Sequence, residues 1–543
     1  MSQWGASYPV ASLPAYAGTI PRLLAAAADR DADGTWLRSD DGTLTFGGAV
    51  AAVCLTAEAL RATGVRKGDL VMLTARTTPT YLLSWLALTS LGAVAVAVNP
   101  RSSPAELAGL IGQVQPRLLI TDAGLSDLVA SARNEIGLAG GDQPGASPFP
   151  EVSDVASLTP QSWADPAAMA AVAPHASLPD AGVGPDDLAV LIPTSGTTGR
   201  SKLVMQTHRA YAMAGEGFPF WMELTAADRM LTTLPLFHVN APAYSVMGSL
   251  ACGAGLVLAE RFSASTFLDT ARRHGATEFN AIGAMLEILM RQPERPDDGD
   301  TPLRLCYTGP APERERQLEI EARFGLRIVV GYAMSESPYG LIWPRGTRPY
   351  GTLGAVRQHP ELGIVNEARV SDGAGRVLGP GNTGELQLRN PVVMRGYLGM
   401  PEETAAVLLP DGWLRTGDLV TMNEDGTYTF VSRVKEVIRR RGENLSPLEV
   451  EEVLESHPAV VECAVVGVPS ELSEEEVKAF LVAADGVRLD LGSLRAYAAE
   501  RLAAFKVPRY WQQLTELPRT PTARIAKHRL PAGHPPEEFD ADA

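Results

Sequence analysis

Leu191-Ile-Pro-Thr-Ser-Gly-Thr-Thr-Gly-Arg-Ser-Lys202 is the stretch on which the reading of this chain turns. An apolar strand breaks here into a loop of hydroxyls and glycines that ends in a lysine. Gly196 and Gly199 let the backbone turn tightly and bring N–H groups close to an anion. Thr194, Ser195, Thr197 and Thr198 add hydroxyl donors and Lys202 adds positive charge, which together make a phosphate cradle. The spacing departs from the Walker pattern, because Ser201 stands five residues after Gly196, where that pattern needs a second glycine. A dinucleotide G-x-G-x-x-G is absent from this stretch as well. A polar surface loop running into a helix near Thr207 has the same composition, so the loop's partners elsewhere in the chain decide between the two readings.

Length and charge set the bounds. A chain of 543 residues exceeds what one hydrophobic core supports, so more than one domain is expected. With 45% hydrophobic and 20% charged residues and a formal charge of −16, the protein is globular and acidic. That balance argues against a broad nucleic-acid or anionic-membrane surface, so any anionic ligand must be held by local basic groups and backbone donors. Cys54, Cys252, Cys306 and Cys463 are widely spaced; neither a disulfide framework nor a zinc site is indicated, and a reducing cytoplasm fits. No signal peptide is recognisable at the N-terminus. The 24 uncharged residues between Arg76 and Arg101 are long enough to span a bilayer. They read instead as a soluble helix opened by Pro79 and ended by Gly92, followed by a buried strand over 93–98. Residues 241–259 read in the same way, as a core helix, a turn and the strand Leu256-Val-Leu258.

Strand-like runs at 70–73, 93–98, 117–120, 188–192 and 327–330 alternate with amphipathic helical segments, which predicts layered α/β architecture. Residues 137–185, dense in Pro, Gly, Ala and Ser, read as a long connection. From about Asn366 short strands and turns predict a β-rich subdomain. Ser446-Pro-Leu-Glu449 then opens a helix with an N-cap, a proline in its first turn and a capping-box acid. The charged run before it marks a junction, dividing a large N-terminal α/β domain over 1–434 from a small α/β domain over 435–543.

Four further segments follow the loop in order: Gly331-Tyr-Ala-Met-Ser-Glu336, Trp413-Leu-Arg-Thr-Gly-Asp418, Ser432-Arg-Val-Lys435 with Gly442-Glu-Asn444, and Pro518-Arg-Thr-Pro-Thr-Ala-Arg-Ile525. With the loop, they resemble the adenylate-forming superfamily of acyl-CoA synthetases, luciferases and peptide-synthetase adenylation domains, most closely bacterial ligases of the carnitine-CoA ligase group. The resemblance runs over nearly the whole chain and implies ATP, Mg²⁺ and, in most such enzymes, CoA. It also implies roles. Tyr332 would stack on adenine, Ser335 would contact phosphate, and Glu336 would hold Mg²⁺, a hard cation that takes oxygen ligands. Asp418 and Arg433 would bind the ribose hydroxyls. Lys435 would be the hinge about which the small domain swings between adenylation and thioester formation. Gly442 would line the pantetheine tunnel, with Arg439, Arg440 and Arg441 serving either CoA phosphates or a solvated strand edge. His238 would lie at the acyl pocket, near segments 283–285 and 309–311. Trp221, Phe218, Phe220, Tyr244 and Trp343 offer aromatic surface for a substrate, or fill the core.

One departure stands out. The family's last motif carries Gly-Lys-Ile, whereas this chain has Ala523-Arg524-Ile525. Arg524 keeps the charge with a different reach, and Lys527 is the alternative cation. Three readings follow: an acid–CoA ligase acting on a small-molecule acid; a ligase activating another oxyanion such as nitrite, for diazotisation of an aromatic amine without CoA; or a nucleotide-binding pseudoenzyme. Partners are therefore small molecules rather than nucleic acid or membrane, and a homodimer is left open.

Overall fold

Alternation within the strands decides where the layers form. In the computed structural model, which describes residues 16, 18–139, 149–172, 176–194, 201–309, 311–312, 314–433, 438–445, 447–470, 474–483, 487–518, 525, 527, 530–531, 533–535 and 537–541, Val71 and Leu73 enter one apolar cluster while Met72 enters another. Ala95 and Ala97 likewise oppose Val94 and Val96. Successive side chains of a strand leave opposite faces, so a strand apolar throughout must be covered on both sides. The helices Ile20–Arg30, Phe46–Ala62, Pro79–Ser90 and His208–Met222 cover one face, and Pro104–Val114 and Ser126–Ala139 the other.

Two large sheets result. The six-stranded one has the order Glu151–Asp154, Leu118–Thr121, Leu70–Thr74, Val94–Ala97, Leu188–Thr194, Lys202–Thr207. A nine-stranded sheet is built mainly of parallel strands, among them Arg229–Thr232, Gly255–Leu258, Glu278–Ile282, Leu305–Gly309 and Arg327–Met334. The largest apolar cluster joins helices to both sheets. A five-stranded antiparallel sheet spans 367–433, the predicted β-rich subdomain. The small domain has its own four-stranded sheet and its own core, drawn from residues between Ile438 and Trp511.

Local rules hold at the helix starts. Thr78 caps the helix opened by Pro79, accepting from Tyr81 N at 3.2 Å. Ser103 and Glu106 complete a capping box at Pro104–Val114. Among the described residues no helix is long and apolar enough to cross a membrane, and the 76–101 stretch is a helix followed by a buried strand.

Two expectations are corrected. Thr207 does cap the helix His208–Met222, but a strand, Lys202–Thr207, intervenes, so the phosphate loop joins two strands. The 137–185 connection is also partly ordered: Glu151–Asp154 adds an edge strand and Val155–Leu158 and Pro166–Val172 are short helices. Ser446 lies outside the described residues. The carboxylate of Glu449 accepts from Lys506 Nζ at 2.7 Å.

Candidate functional site

The strands Leu188–Thr194 and Lys202–Thr207 pair antiparallel with Thr194 opposite Lys202, which sets the base of the phosphate loop. Ser195, Gly196, Thr197, Thr198 and Gly199 lie outside the described residues. At the base, Lys202 places Nζ 4.5 Å from the centre of the Tyr397 ring. The Tyr397 hydroxyl in turn donates to Glu336 Oε1 at 2.9 Å. Burial and the Glu336 charge raise the Tyr397 pKa, so the phenol stays protonated and remains a donor to this carboxylate. Backbone bonds fix the Glu336 turn: Gln206 Nε2 donates to Ser335 O at 2.6 Å and Met394 N to Glu336 O at 2.8 Å. A lysine, a phenol and a carboxylate from three separate segments thus converge beside the loop. Tyr397 was not foreseen from sequence.

On the other wall, Tyr332 Oη donates to Asp418 Oδ2 at 2.6 Å, and Asp418 is only 3% exposed. Strand pairing sets Arg433 directly opposite Asp418, which brings the two expected ribose-binding positions together; the Arg433 side chain is outside the described part. Lys435 and Arg524 are outside it too. Lys527, the alternative cation, pairs with Glu451 at 2.8 Å within the small domain.

A hairpin of the small domain closes the third side. Ile438–Arg440 pairs with Glu443–Leu445, leaving Arg441 and Gly442 as a two-residue turn with φ of 52° and 79°. Two positive φ values in succession are the type I′ geometry that matches strand twist. The turn delivers Glu443 to His238, with Oε2 2.9 Å from Nε2, while Arg101 pairs with Oε1 at 3.2 Å. Burial opposes charge on both partners. The attraction between them wins, raising the His238 pKa and, with Arg101, lowering that of Glu443. Two more polar contacts join the domains: Lys506 Nζ reaches Glu106 at 2.6 Å, and Ser103 Oγ donates to Arg501 O at 2.9 Å. At Gly442 the φ of 79° favours glycine, and a Cβ there would lie 2.0 Å from Ile282 Cδ1, so that methyl would have to move.

The three arginines separate. Arg440 is buried, donates to Phe505 O and Val507 O, and pairs with Glu476 at 2.6 Å. It serves the small domain's packing and is neither a solvated edge nor a phosphate ligand. Arg439 and Arg441 do line the cleft. Of the two readings of the aromatics, core filling describes three: Phe218, Trp221 and Trp343 are buried against other rings and backbone carbonyls, and Trp221 also against the Arg357 guanidinium. Of the five aromatics only Tyr244 lines the cleft, joined there by Tyr307, Gly309 and Met285; Pro310 is not described.

The cleft holds about 1810 Å³. It lies across the carboxyl ends of strands from both large sheets, lined by Thr77, Asn99, Thr233, Ile282 and Gly309, the position where open α/β sheets bind ligands. Among the described residues no group of three or more His, Cys, Asp or Glu could hold a metal ion. A magnesium ion that arrives on phosphates keeps several waters and takes only one or two carboxylates; Glu336 lines the cleft as a carboxylate.

Comparison with known proteins agrees with this arrangement. The model of the AMP-binding enzyme family matches residues 24–398, and that of the AMP-binding enzyme C-terminal domain matches 449–524. A crotonobetaine/carnitine–CoA ligase of Salmonella heidelberg is 32% identical over 489 residues, covering 88% of this chain and 90% of the relative. Among solved structures, o-succinylbenzoate CoA synthetase from Bacillus subtilis, bound with its product analogue, superposes with a TM-score of 0.79 at 28% identity, covering 94% of this chain and 98% of that one. The amide bond synthetase McbA from Marinactinospora thermotolerans gives 0.78 at 26% identity, with coverage of 93% and 98%.

Proposed function

Because the chain belongs to the AMP-binding enzyme family and is an adenylate-forming ligase, we propose that it activates an organic acid with ATP and transfers the acyl group to the thiol of CoA. The observation that carries this reading is the convergence of Lys202, Tyr397 and Glu336 beside the phosphate loop, facing the Tyr332–Asp418 pair. One end suits a polyphosphate and the other a ribose.

In the first step the acid's carboxylate oxygen attacks the α-phosphorus of ATP, the bond to the β-phosphate oxygen breaks, and pyrophosphate leaves. Lys202, the loop donors and Arg524 spread the charge of that displacement, which lowers the barrier through positioning and electrostatics. Mg²⁺ bound to the phosphates supplies further neutralisation, and Glu336 is the residue that would hold it. In the second step the CoA sulfur attacks the acyl carbon, its proton passes to solvent, and AMP departs. The small domain, which we place at 435–543, turns about Lys435 between the two steps.

The pose described here suits the second step: the hairpin carrying Gly442 and Glu443 faces the cleft, and Lys527 is occupied by Glu451. The relatives named as CoA ligases and synthetases support CoA as acceptor, while the amide bond synthetase is a reminder that an amine fits the same scheme. Incubation with ATP, Mg²⁺ and a panel of acids, with pyrophosphate measured with and without CoA, an amine or nitrite, tests the reading. Pyrophosphate and a thioester that needs CoA are expected. Release that depends on nitrite in place of any acid would transfer the protein to the diazotising class, and no release under any condition would leave nucleotide binding alone.

A further inference from the structure

Behind two phenols of the cleft wall, Tyr244 and Tyr307, a cation is buried without an anion among the described residues. Arg357 is 0% exposed. Its Nε donates to Leu341 O at 3.0 Å, and Nη1 donates to Pro338 O at 3.0 Å and to Tyr244 Oη at 2.7 Å. Nη2 donates to Tyr307 Oη. The guanidinium also lies 4.6 Å from the Trp221 ring centre and 5.0 Å from that of Tyr244. Neutral groups take up its hydrogen bonds, and no carboxylate pairs with it among the described residues. Arginine does not shed its proton, so the charge persists and its field enters the cleft through the two phenols that line it.

Those phenols are not equivalent. Tyr244 commits its hydrogen to Pro338 O at 2.7 Å. Tyr307 accepts from Arg357, which polarises its O–H; among the described residues that hydrogen has the neighbouring Tyr244 hydroxyl within reach but no backbone carbonyl or carboxylate, so a stronger acceptor in the cleft can draw it away. Close by, Asn280 stands in register with Tyr307 on the adjacent strand and donates Nδ2 to Asn240 Oδ1 at 2.7 Å. Asn240 lines the cleft, and because its Oδ1 accepts from Asn280, the side-chain amide is held by a buried neighbour and has Nδ2 as its donor. Gly331 makes the arrangement sterically feasible: a Cβ there would come within 2.7 Å of Tyr307 Oη and 3.1 Å of Arg357 Nη2.

We propose that Tyr307 and Asn240, polarised and positioned by Arg357 and Asn280, recognise an acceptor oxygen at the far end of the acid, so that the substrate is an oxo acid or dicarboxylic acid rather than a plain hydrocarbon acid. The proposal rests on the adenylation reading and adds the substrate class to it. Arg357 is a positioning residue, acting through Tyr307 and Tyr244.

The experiment uses the full chain with MgATP and two matched series: pentanoate, 4-oxopentanoate and glutarate; benzoate, 4-acetylbenzoate and terephthalate. Pyrophosphate release is followed as kcat and KM separately. In at least one series the oxygen-bearing acids are expected to exceed their parent in kcat/KM by about tenfold or more, the scale set by leaving buried polar groups unpaired. Tyr307→Phe should erase that preference by raising KM for the oxygen-bearing acids alone. Arg357→Met should do the same, and Arg357→Lys should restore part of it. Since Arg357→Met removes a buried hub and can fail to fold, Tyr307→Phe carries the test by itself if that variant is insoluble. Parent acids turned over as well as their oxygen-bearing partners, or a Tyr307→Phe enzyme with its preference intact, would overturn the proposal while leaving adenylation standing. Absence of pyrophosphate with every acid would overturn both.

Discussion

His238 and Glu443, 205 residues apart in the chain, meet across the two domains with Nε2 and Oε2 separated by 2.9 Å. Glu443 is held below its ordinary 4.5 and His238 above its ordinary 6.5, so the ion pair is complete between those values. Its contribution to docking fades as pH rises through the elevated His238 value, and again as pH falls through the depressed Glu443 value. Energy transfer between dyes placed on the two domains should therefore be greatest in mildly acidic solution and decline toward alkaline pH. His238→Gln should flatten the alkaline decline; a profile unchanged in that variant would mean that other groups set the docking.

Glu336 and Tyr397 should matter to different degrees for the first step. Removing the carboxylate in Glu336→Ala is expected to slow pyrophosphate release by about a hundredfold and to raise the Mg²⁺ concentration needed for half-maximal rate. Tyr397→Phe deletes one hydrogen bond to that carboxylate, worth about 1 kcal/mol, and should cost roughly fivefold. A Glu336→Ala enzyme running at full rate would exclude it as the metal-holding residue.

A Cβ on Gly442 would overlap the terminal methyl of Ile282, which would have to move aside. Gly442→Ala adds a Cβ and places a non-glycine residue at φ 79°, a strain of about 1–3 kcal/mol. Thioester formation should fall about tenfold or more while pyrophosphate release in single turnover is preserved. Ile282→Ala in the same chain should recover part of the loss, since it relieves the contact but not the backbone. Equal loss in both half-reactions would show that the hairpin does not act in the second step alone.

Lys435→Pro fixes φ at the proposed pivot. Quenched-flow measurement should then find one half-reaction near its normal rate and the other suppressed by about a hundredfold, the pattern expected when a closing motion is blocked. If both decline together, the swing occurs elsewhere.

Much of the frame could be read from sequence because it obeys short-range rules. Pro79 after Thr78 marks a helix start, uninterrupted apolar runs mark strands covered on both faces, and Asp425-Gly426 marks a turn. Lys202, Tyr332, Glu336, Asp418 and Gly442, each from one of the motifs, line one cleft, and so does His238, which lies outside them. What escaped was long-range or disguised. Tyr397 is a single aromatic with no periodic signal, and only folding carries it between Lys202 and Glu336. The run Arg439-Arg-Arg441 looks uniform, yet the period of two in a strand puts Arg440 on the same face as the buried Ile438, a clue that was present and unused. The edge strand Glu151–Asp154 is polar, so it lacks the apolar alternation by which strands are recognised.

The small domain's apolar cluster contains no residue before Ile438, and the clusters of the large domain contain none after Tyr428. What spans the seam is mainly ionic and hydroxylic: Lys506 on Glu106, Ser103 on Arg501, Glu443 on His238. Bonds of that kind can be traded for water one by one at small net cost, whereas parting two greasy surfaces would expose them all at once. The swing proposed about Lys435 would thus part a seam held by fasteners the solvent can undo.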